Sequence, residues 1–313
     1  MATGIQTDNT FALLDQIVHS GGGGGPCTHT HTQDEGLYVV SGKCTFNAGG
    51  HDGMAAPAGT FVAVPGLTEH SFTVDEPDTQ LLNFYLPAGF DMLIVGISHP
   101  ADRSEPPPPG IPLPPPHLVR KLAADYGMDE VLGMPFIDKA HPGIMTTKPT
   151  PGATVFPFTS HAKDVPSYWY LNGLWSVMAS SKATGNSYTM FQLLLQKGPV
   201  TPPHVYEGKD EIFYVLDGEL TFWLGDRIES ASKNAMVYIP KGTATSLRVD
   251  SETALVLNIH TPGGYDEILA ELGQRTEDHR LPAAREVREI DEKVKTRLLQ
   301  YVGQRKITVS DAL

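Results

Sequence analysis

The chain repeats itself. "THTHTQDEGLYVVSGKCTF" in the first half matches "PPHVYEGKDEIFYVLDGELTF" in the second. "FVAVPGLTEHSF" matches "MVYIPKGTATSL", and "LNFYLPAGFDMLI" matches "LNIHTPGGYDEIL". His29 pairs with His204 and Asn83 with Asn258, both at an offset of 175 residues. The start "MATGIQTDNTFALL" matches "MASSKATGNSYTMF" from Met178. A repeat on this scale means two copies of one fold in tandem. The length of 313 residues suits two domains of about 150 each.

Each copy reads as all-β. "EGLYVVSGKCTF", "GTFVAVPG", "SFTV" and "LLNFYLP" alternate apolar with small or polar residues between Gly, Pro and Asp. Turns at short, regular intervals suit a sandwich or barrel. Between the copies, "SEPPPPGIPLPPPH" is a stiff polyproline-type spacer. "LVRKLAADYGMDEVLG" after it has helical spacing, and the tail "AAREVREIDEKVKTRLLQYVG" reads as a terminal helix. The expected division is residues 1–103, a linker over 104–165, and 166–313. The second copy is preceded by "SYWYLNGLWSVMAS", one or two strands with no counterpart before Met1. An open apolar edge invites pairing. Three coverings stay open: part of residues 141–165, the C-terminal "RKITVSDAL", or edge-to-edge pairing of two chains as a homodimer.

Composition excludes several partners. The formal net charge of -13 repels phosphate backbones, so nucleic acid is not expected. No apolar run approaches the roughly 18 residues of a membrane span, and the first residues lack a signal-peptide layout. Cys27 and Cys44 alone make no disulfide framework. The expectation is a cytoplasmic, reduced protein.

Chemistry concentrates between residues 29 and 70. Side chains two apart on a strand share a face, so His29 and His31 project together. Glu35, beyond a short turn, can return to the same point, and His70 follows a Pro-Gly turn on another strand. Three imidazoles and a carboxylate suit one divalent first-row metal with a position or two left open. Glu35 can either bind that metal or take a proton from a substrate hydroxyl. Copper, iron or manganese leads the choice of ion, with nickel, cobalt or zinc as alternatives. Leu37 and Val39 continue the inward face from Glu35, and Phe72 shares the face of His70. They are candidate pocket residues that any barrel would also use as core.

Gly23, His29, His31, Glu35 and Gly42 together resemble the first cupin motif, and Gly59, Pro65 and His70 the second. The glycine usual two places after that proline stands one place early, at Gly66, and the asparagine expected after the last histidine is missing. The full layout resembles bicupin quercetin 2,3-dioxygenases over nearly the whole chain. The resemblance implies two tandem jelly-roll β-barrels joined by the proline-rich linker, with a few short helices. It also implies a metal-dependent dioxygenase acting on dioxygen and a flavonol-like or other enolised aromatic or polyketide substrate. In that scheme the substrate's enol or phenol oxygen binds the metal and Glu35 takes its proton. A non-oxidative isomerase, lyase or cyclase, and a small-molecule-binding cupin without catalysis, remain as alternatives.

The second copy keeps Gly198, His204, Glu211 and Gly218, but Tyr206 and Thr245 replace two histidines. Two ligands of four remain, so one metal per chain is expected, in the first copy. Cys27 reads as a small buried thiol, Asp34 as a solvated neighbour of Glu35, and the glycine run 21–25 as a flexible loop or a pocket lip. His19, His51, His117, His141 and His161 lack ligand spacing.

Overall fold

The structure, a computed structural model, describes residues 2–18, 28–101, 112, 114–125, 130–131, 134–135 and 155–283. The chain divides into two compact units, residues 1–160 and 161–313.

The first unit opens with β1 (Ala12–Val18), β2 (Asp34–Ser41), β3 (Lys43–Ala48), β4 (His51–Pro57), β5 (Thr60–Val64), β6 (His70–Val74) and β7 (Thr79–Leu86). Helices α1 (Phe90–Ile97) and α2 (Pro116–Asp125) follow, then the short pair β8 (Glu130–Val131) and β9 (Met134–Pro135), and β10 (Phe158–His161). One sheet runs β1-β7-β2-β5-β10 and a second β4-β3-β6. Inward-facing Leu37, Val39, Cys44, Phe46, Val62, Val64 and Leu81 fill the space between them. Gly42 turns the chain from β2 to β3 at φ 79°, where a Cβ would stand 2.3 Å from the Thr79 hydroxyl. No residue but glycine suits both constraints.

The second unit holds β11 (Ser167–Tyr170), β12 (Gly173–Ala179), β13 (Thr189–Val205), β14 (Asp210–Asp217), β15 (Glu219–Leu224), β16 (Arg227–Ser232), β17 (Met236–Ile239) and β18 (Ala244–Thr261). It ends in α3 (Tyr265–Leu272) and β19 (Gln274–Thr276). Its sheet runs β16-β15-β18-β13-β12-β11-β19, with β14 between β17 and β18.

The repeat survives at the level of single hydrogen bonds. Asp91 in α1 accepts from the Gly4 amide at 2.9 Å, and Asp266 in α3 from the Ser181 amide at 3.1 Å. The Thr7 hydroxyl donates to the Phe11 carbonyl, and Thr184 to that of Tyr188, both at 2.5 Å. Leu86-Pro87 and Thr261-Pro262 are both cis. Both "PAGFDMLI"-type segments turn from strand to helix at a positive-φ glycine, Gly89 or Gly264.

The asymmetry of the copies is also structural. β11 and β12 lie outside β13. At the matching edge of β1, among the described residues, only Ala2 pairs, with Leu13. β10, from within residues 141–165, does join the first unit's sheet, but beside β5 at the opposite edge. "RKITVSDAL" and the expected terminal helix lie outside the described residues. The helix after the proline stretch is described over 116–125, and residues 130–131 of the same stretch form β8.

Candidate metal centre

His29 sits in an extended segment that bridges to β6. Its amide donates to the His70 carbonyl at 3.1 Å, and the His70 amide returns the bond at 3.0 Å. That pairing brings the two rings together, centroids 4.2 Å apart and tilted by 52°. The His31 carbonyl accepts from the Leu67 amide at 2.6 Å, tying the ligand segment to the turn before β6. Glu35 enters from β2. All four side chains are at most 5% exposed.

One ligand atom from each of His29, His31 and His70 lies within 4.8 Å of the others. Glu35 Oε2 is 3.1 Å from His31 Nε2 and 2.8 Å from His70 Nε2. The tautomers follow from the backbone. His31 Nδ1 faces the Gln33 carbonyl at 3.0 Å and His70 Nδ1 faces that of Thr68 at 2.8 Å. A carbonyl only accepts, so each Nδ1 carries the proton and each neutral ring turns an Nε2 lone pair toward Oε2. Three acceptor atoms thus converge in a buried place, and His70 Nε2 has no hydrogen-bond partner there. Such a group needs a cation or an extra proton at its centre. Nitrogen and carboxylate donors with Nδ1–H fixed on backbone carbonyls fit a divalent transition metal.

The electrostatics agree. Without a cation, burial would raise the Glu35 carboxyl, but an extra proton on the imidazoles, first through the charge on His70 and then through their hydrogen bonds, holds it well below the usual range. Burial opposes protonation of His70, and the facing Glu35 carboxylate more than reverses this, so its pKa is raised. Asn83, on β7, gives one amide group to Glu35 Oε1 and to the Tyr85 hydroxyl, each at 2.8 Å. Burial and then the Glu35 charge push the Tyr85 phenol well above its usual range. Tyr85 therefore stays protonated.

Asn83, Tyr85 and Phe90 were not foreseen as site residues. Phe90 lies 5.2 Å from the His31 ring and 4.7 Å from that of Tyr85. The period-2 spacing of Asn83 and Tyr85, and the recurrence of Asn83 as Asn258, were the available signals. Leu37 and Val39 are fully buried in the cluster that contains Cys44 and Phe46, and Phe72 packs on that cluster against Phe46. The rings next to the imidazoles are instead Tyr85 and Phe90. Asp34 is not simply solvated: it accepts from the Gly66 amide at 2.8 Å. A Cβ on Gly66 would stand 2.4 Å from the Thr32 carbonyl oxygen, which accounts for a glycine at that place in the turn. Cys27, His19, His141 and the glycine run lie outside the described residues.

In the second unit, His204 Nε2 is 3.9 Å from Glu211 Oε2. Tyr206 and Thr245 stand at the places of His31 and His70. No second group of three ligand side chains closes among the described residues.

Residues 191–260 match the model of the cupin domain family. The chain is 24% identical to quercetin 2,3-dioxygenase of Bacillus subtilis (strain 168) over 290 residues, covering 90% of this chain and 82% of that one. Among solved structures it resembles a mutant of Bacillus subtilis oxalate decarboxylase, with a TM-score of 0.56 and 14% identity, over 84% of this chain and 72% of the other. A second solved structure of the same enzyme, from work on its Mn(II) centres, matches with a TM-score of 0.55, 14% identity and the same coverage. The fold is that of a bicupin, all-β with short helices, and the resemblance to quercetin 2,3-dioxygenase-like bicupins holds. Among the described residues no helix is long and apolar enough to cross a membrane.

Proposed function

We propose that this protein is a metal-dependent dioxygenase that cleaves a flavonol-like or otherwise enolised aromatic or polyketide substrate in its first unit. The observation that carries the reading is the convergence of His31 Nε2 and His70 Nε2 on Glu35 Oε2, with His29 alongside. The similarity to a quercetin 2,3-dioxygenase over most of both chains supports the reaction class.

His29, His31, Glu35 and His70 would hold one divalent transition metal, which when bound supplies Lewis acidity to the substrate's enol or phenol oxygen. The chain's own residues do the rest. Glu35, aimed by Asn83 and held anionic, accepts the substrate's hydroxyl proton at Oε2. Tyr85 and Phe90 offer flat apolar faces beside the imidazoles and keep water from the reacting carbon. The substrate anion is then electron-rich at carbon, where dioxygen adds and a carbon–carbon bond is cleaved. The buried backbone pairing of His29 with His70 fixes two imidazoles before substrate arrives, which favours catalysis by positioning.

The test joins elemental analysis of protein purified without added metal to an oxygen electrode with a panel of flavonols. Oxygen uptake matched to flavonol loss is expected. Turnover of an enolic substrate without oxygen uptake would move the assignment to a non-oxidative isomerase, lyase or cyclase. Affinity without turnover would move it to a binding protein.

A further inference from the structure

The second barrel differs from the first by an exchange, not only by losses. In the first unit His31 and Tyr85 form an edge-on pair, ring centroids 5.8 Å apart. In the second, Tyr206 stands at the place of His31 and His260 at the place of Tyr85. They too meet edge-on, at 5.4 Å and 89°. Thr245 lies opposite His204 in the β13–β18 register, as His70 lies opposite His29. A hydroxyl thus replaces the third imidazole. The barrel retains a polar set of new composition, buried Glu211, Thr245 and His260 with a His204 side chain that is 11% exposed.

Several of its atoms have no partner. Glu211 Oε2, His204 Nε2, Thr245 Oγ1, Thr201 Oγ1 and His260 Nδ1 are buried without a hydrogen bond. Buried polar atoms are ordinarily paired, so five in one barrel call for an explanation. Their roles can be assigned. His204 Nδ1 faces the Pro202 carbonyl at 2.9 Å and must donate to it, which leaves Nε2 an acceptor. His260 Nε2 faces Asn258 Oδ1 at 2.8 Å, and Asn258 donates its amide to Glu211 Oε1 at 3.0 Å. Burial, only partly offset by that hydrogen bond, pushes Glu211 up to about 8, so near neutral pH it carries a proton. With Oε1 already accepting, the proton belongs on Oε2. Burial also lowers the pKa of His204, which stays neutral.

A donor, Glu211 Oε2–H, therefore faces an acceptor, His204 Nε2, across 3.9 Å. That is too far for a direct bond. It suits one oxygen sitting at hydrogen-bond distance from both, with an angle of about 90° at that oxygen. The oxygen must accept from one side and donate to the other, as a hydroxyl does. Aromatic rings surround the place. Tyr206 is 4.8 Å from the His204 ring, and Tyr265 stacks on His260 at 4.7 Å and 3°. We propose that the second barrel is a metal-free binding site for a small planar aromatic hydroxyl compound, a phenol or aromatic enol, whose hydroxyl bridges Glu211 and His204. The neutrality of the acid and the ring suits an uncharged hydroxyl compound over a phenolate or a cation.

The test uses 4-fluorophenol and fluorobenzene as probes of the full chain, followed by fluorine NMR. Saturable broadening with 4-fluorophenol is expected, and far weaker broadening with fluorobenzene. His204→Phe and Glu211→Leu should each weaken binding at least tenfold. Glu211→Gln should keep it, because an amide N–H donates where the acid did. His70→Ala should keep it too, since that change lies in the other unit. Should His204→Phe not fold, Thr245→Val removes one hydroxyl at nearly constant shape and should also weaken binding. The proposal is overturned by equal binding of fluorobenzene, which marks a merely apolar void. It is equally overturned by loss in His70→Ala, by loss in Glu211→Gln, by a second metal equivalent per chain, or by no saturable binding at millimolar probe.

Discussion

Nε2 of His70 stands 2.8 Å from Oε2 of Glu35, while Nδ1 of the same ring donates to the Thr68 carbonyl at 2.8 Å. A neutral His70 has no proton left for Glu35, so a cation between them relieves two facing lone pairs. The first expected outcome is about one divalent metal per chain, bound with the stabilisation that any ligand of the folded state confers. Chelation should lower the melting temperature and re-addition restore it. His31→Ala and His70→Ala should each strip most of the metal, and His204→Ala should not. Elemental analysis reads the result, and two ions per chain would contradict the one-site assignment.

Glu35 is held by Asn83 on one oxygen and by imidazoles on the other. Glu35→Gln keeps the shape and removes the basicity. Turnover should fall by about 10²–10⁴-fold, the usual worth of a positioned base, with melting little changed at matched metal content. Full activity in this variant would mean that the substrate proton goes elsewhere. Asn83→Ala frees Glu35 Oε1 and should cost about 1–3 kcal/mol of stability through the unpaired buried oxygen. Its turnover should fall less than that of Glu35→Gln, because the base remains but is no longer aimed.

The fold and the clustering of the candidate ligands were legible because both rest on short-range patterns. The 175-residue offset aligns strands whose alternation tells inside from outside, and His29, His31, Glu35 and His70 fall on inward positions. The aromatic neighbours of the imidazoles were not legible for a physical reason. Two residues along a strand advance the side chain by about 6.6 Å. Leu37 and Val39 therefore share the face of Glu35 yet pass into the barrel core beside Cys44. The neighbours of the imidazoles come instead from β7 and α1, through the register that sets Glu35 opposite Tyr85. A pairing between strands 50 residues apart leaves no local mark. His260, at the place of Tyr85, meets Glu211 through the same kind of long-range pairing, between β14 and β18, and carries no local mark either. The strand at 158–161 carries no repeat signal, having no counterpart in the other copy among the described residues.

Gly66 packs where a side chain has no room. Its Cβ would lie 2.4 Å from the Thr32 carbonyl oxygen, a backbone atom one residue from His31, and its amide is held by Asp34. Gly66→Ala should force the turn away and destabilise the first unit by about 1–3 kcal/mol, the range of overpacking. Because Leu67 next to it donates to the His31 carbonyl, metal content should fall as well. Gly208→Ala is the control, since nothing lies within 4 Å of a Cβ there. Calorimetry and metal analysis on the pair separate the two effects. Equal metal content in both variants would show that the turn does not govern the ligands.

Glu211 should make the second unit less stable as pH rises. In the unfolded chain its carboxyl ionises near 4.5, but in the folded barrel burial holds it neutral to about 8. Between those values the folded state binds a proton that the unfolded state has released, so the unfolding free energy falls with rising pH. The full penalty is reached above about 8, with an upper bound of about 5 kcal/mol from the size of the shift. Glu211→Gln cannot ionise and keeps the hydrogen bond from Asn258. Its stability relative to wild type should therefore grow steadily from pH 5 to pH 8 and change little below 4.5. Other titrating groups are common to both proteins and cancel in the difference. Calorimetric melting of the two proteins across that range gives the slope directly. Parallel curves would mean that Glu211 is ionised in the folded barrel, with a counter-charge that its surroundings must then supply.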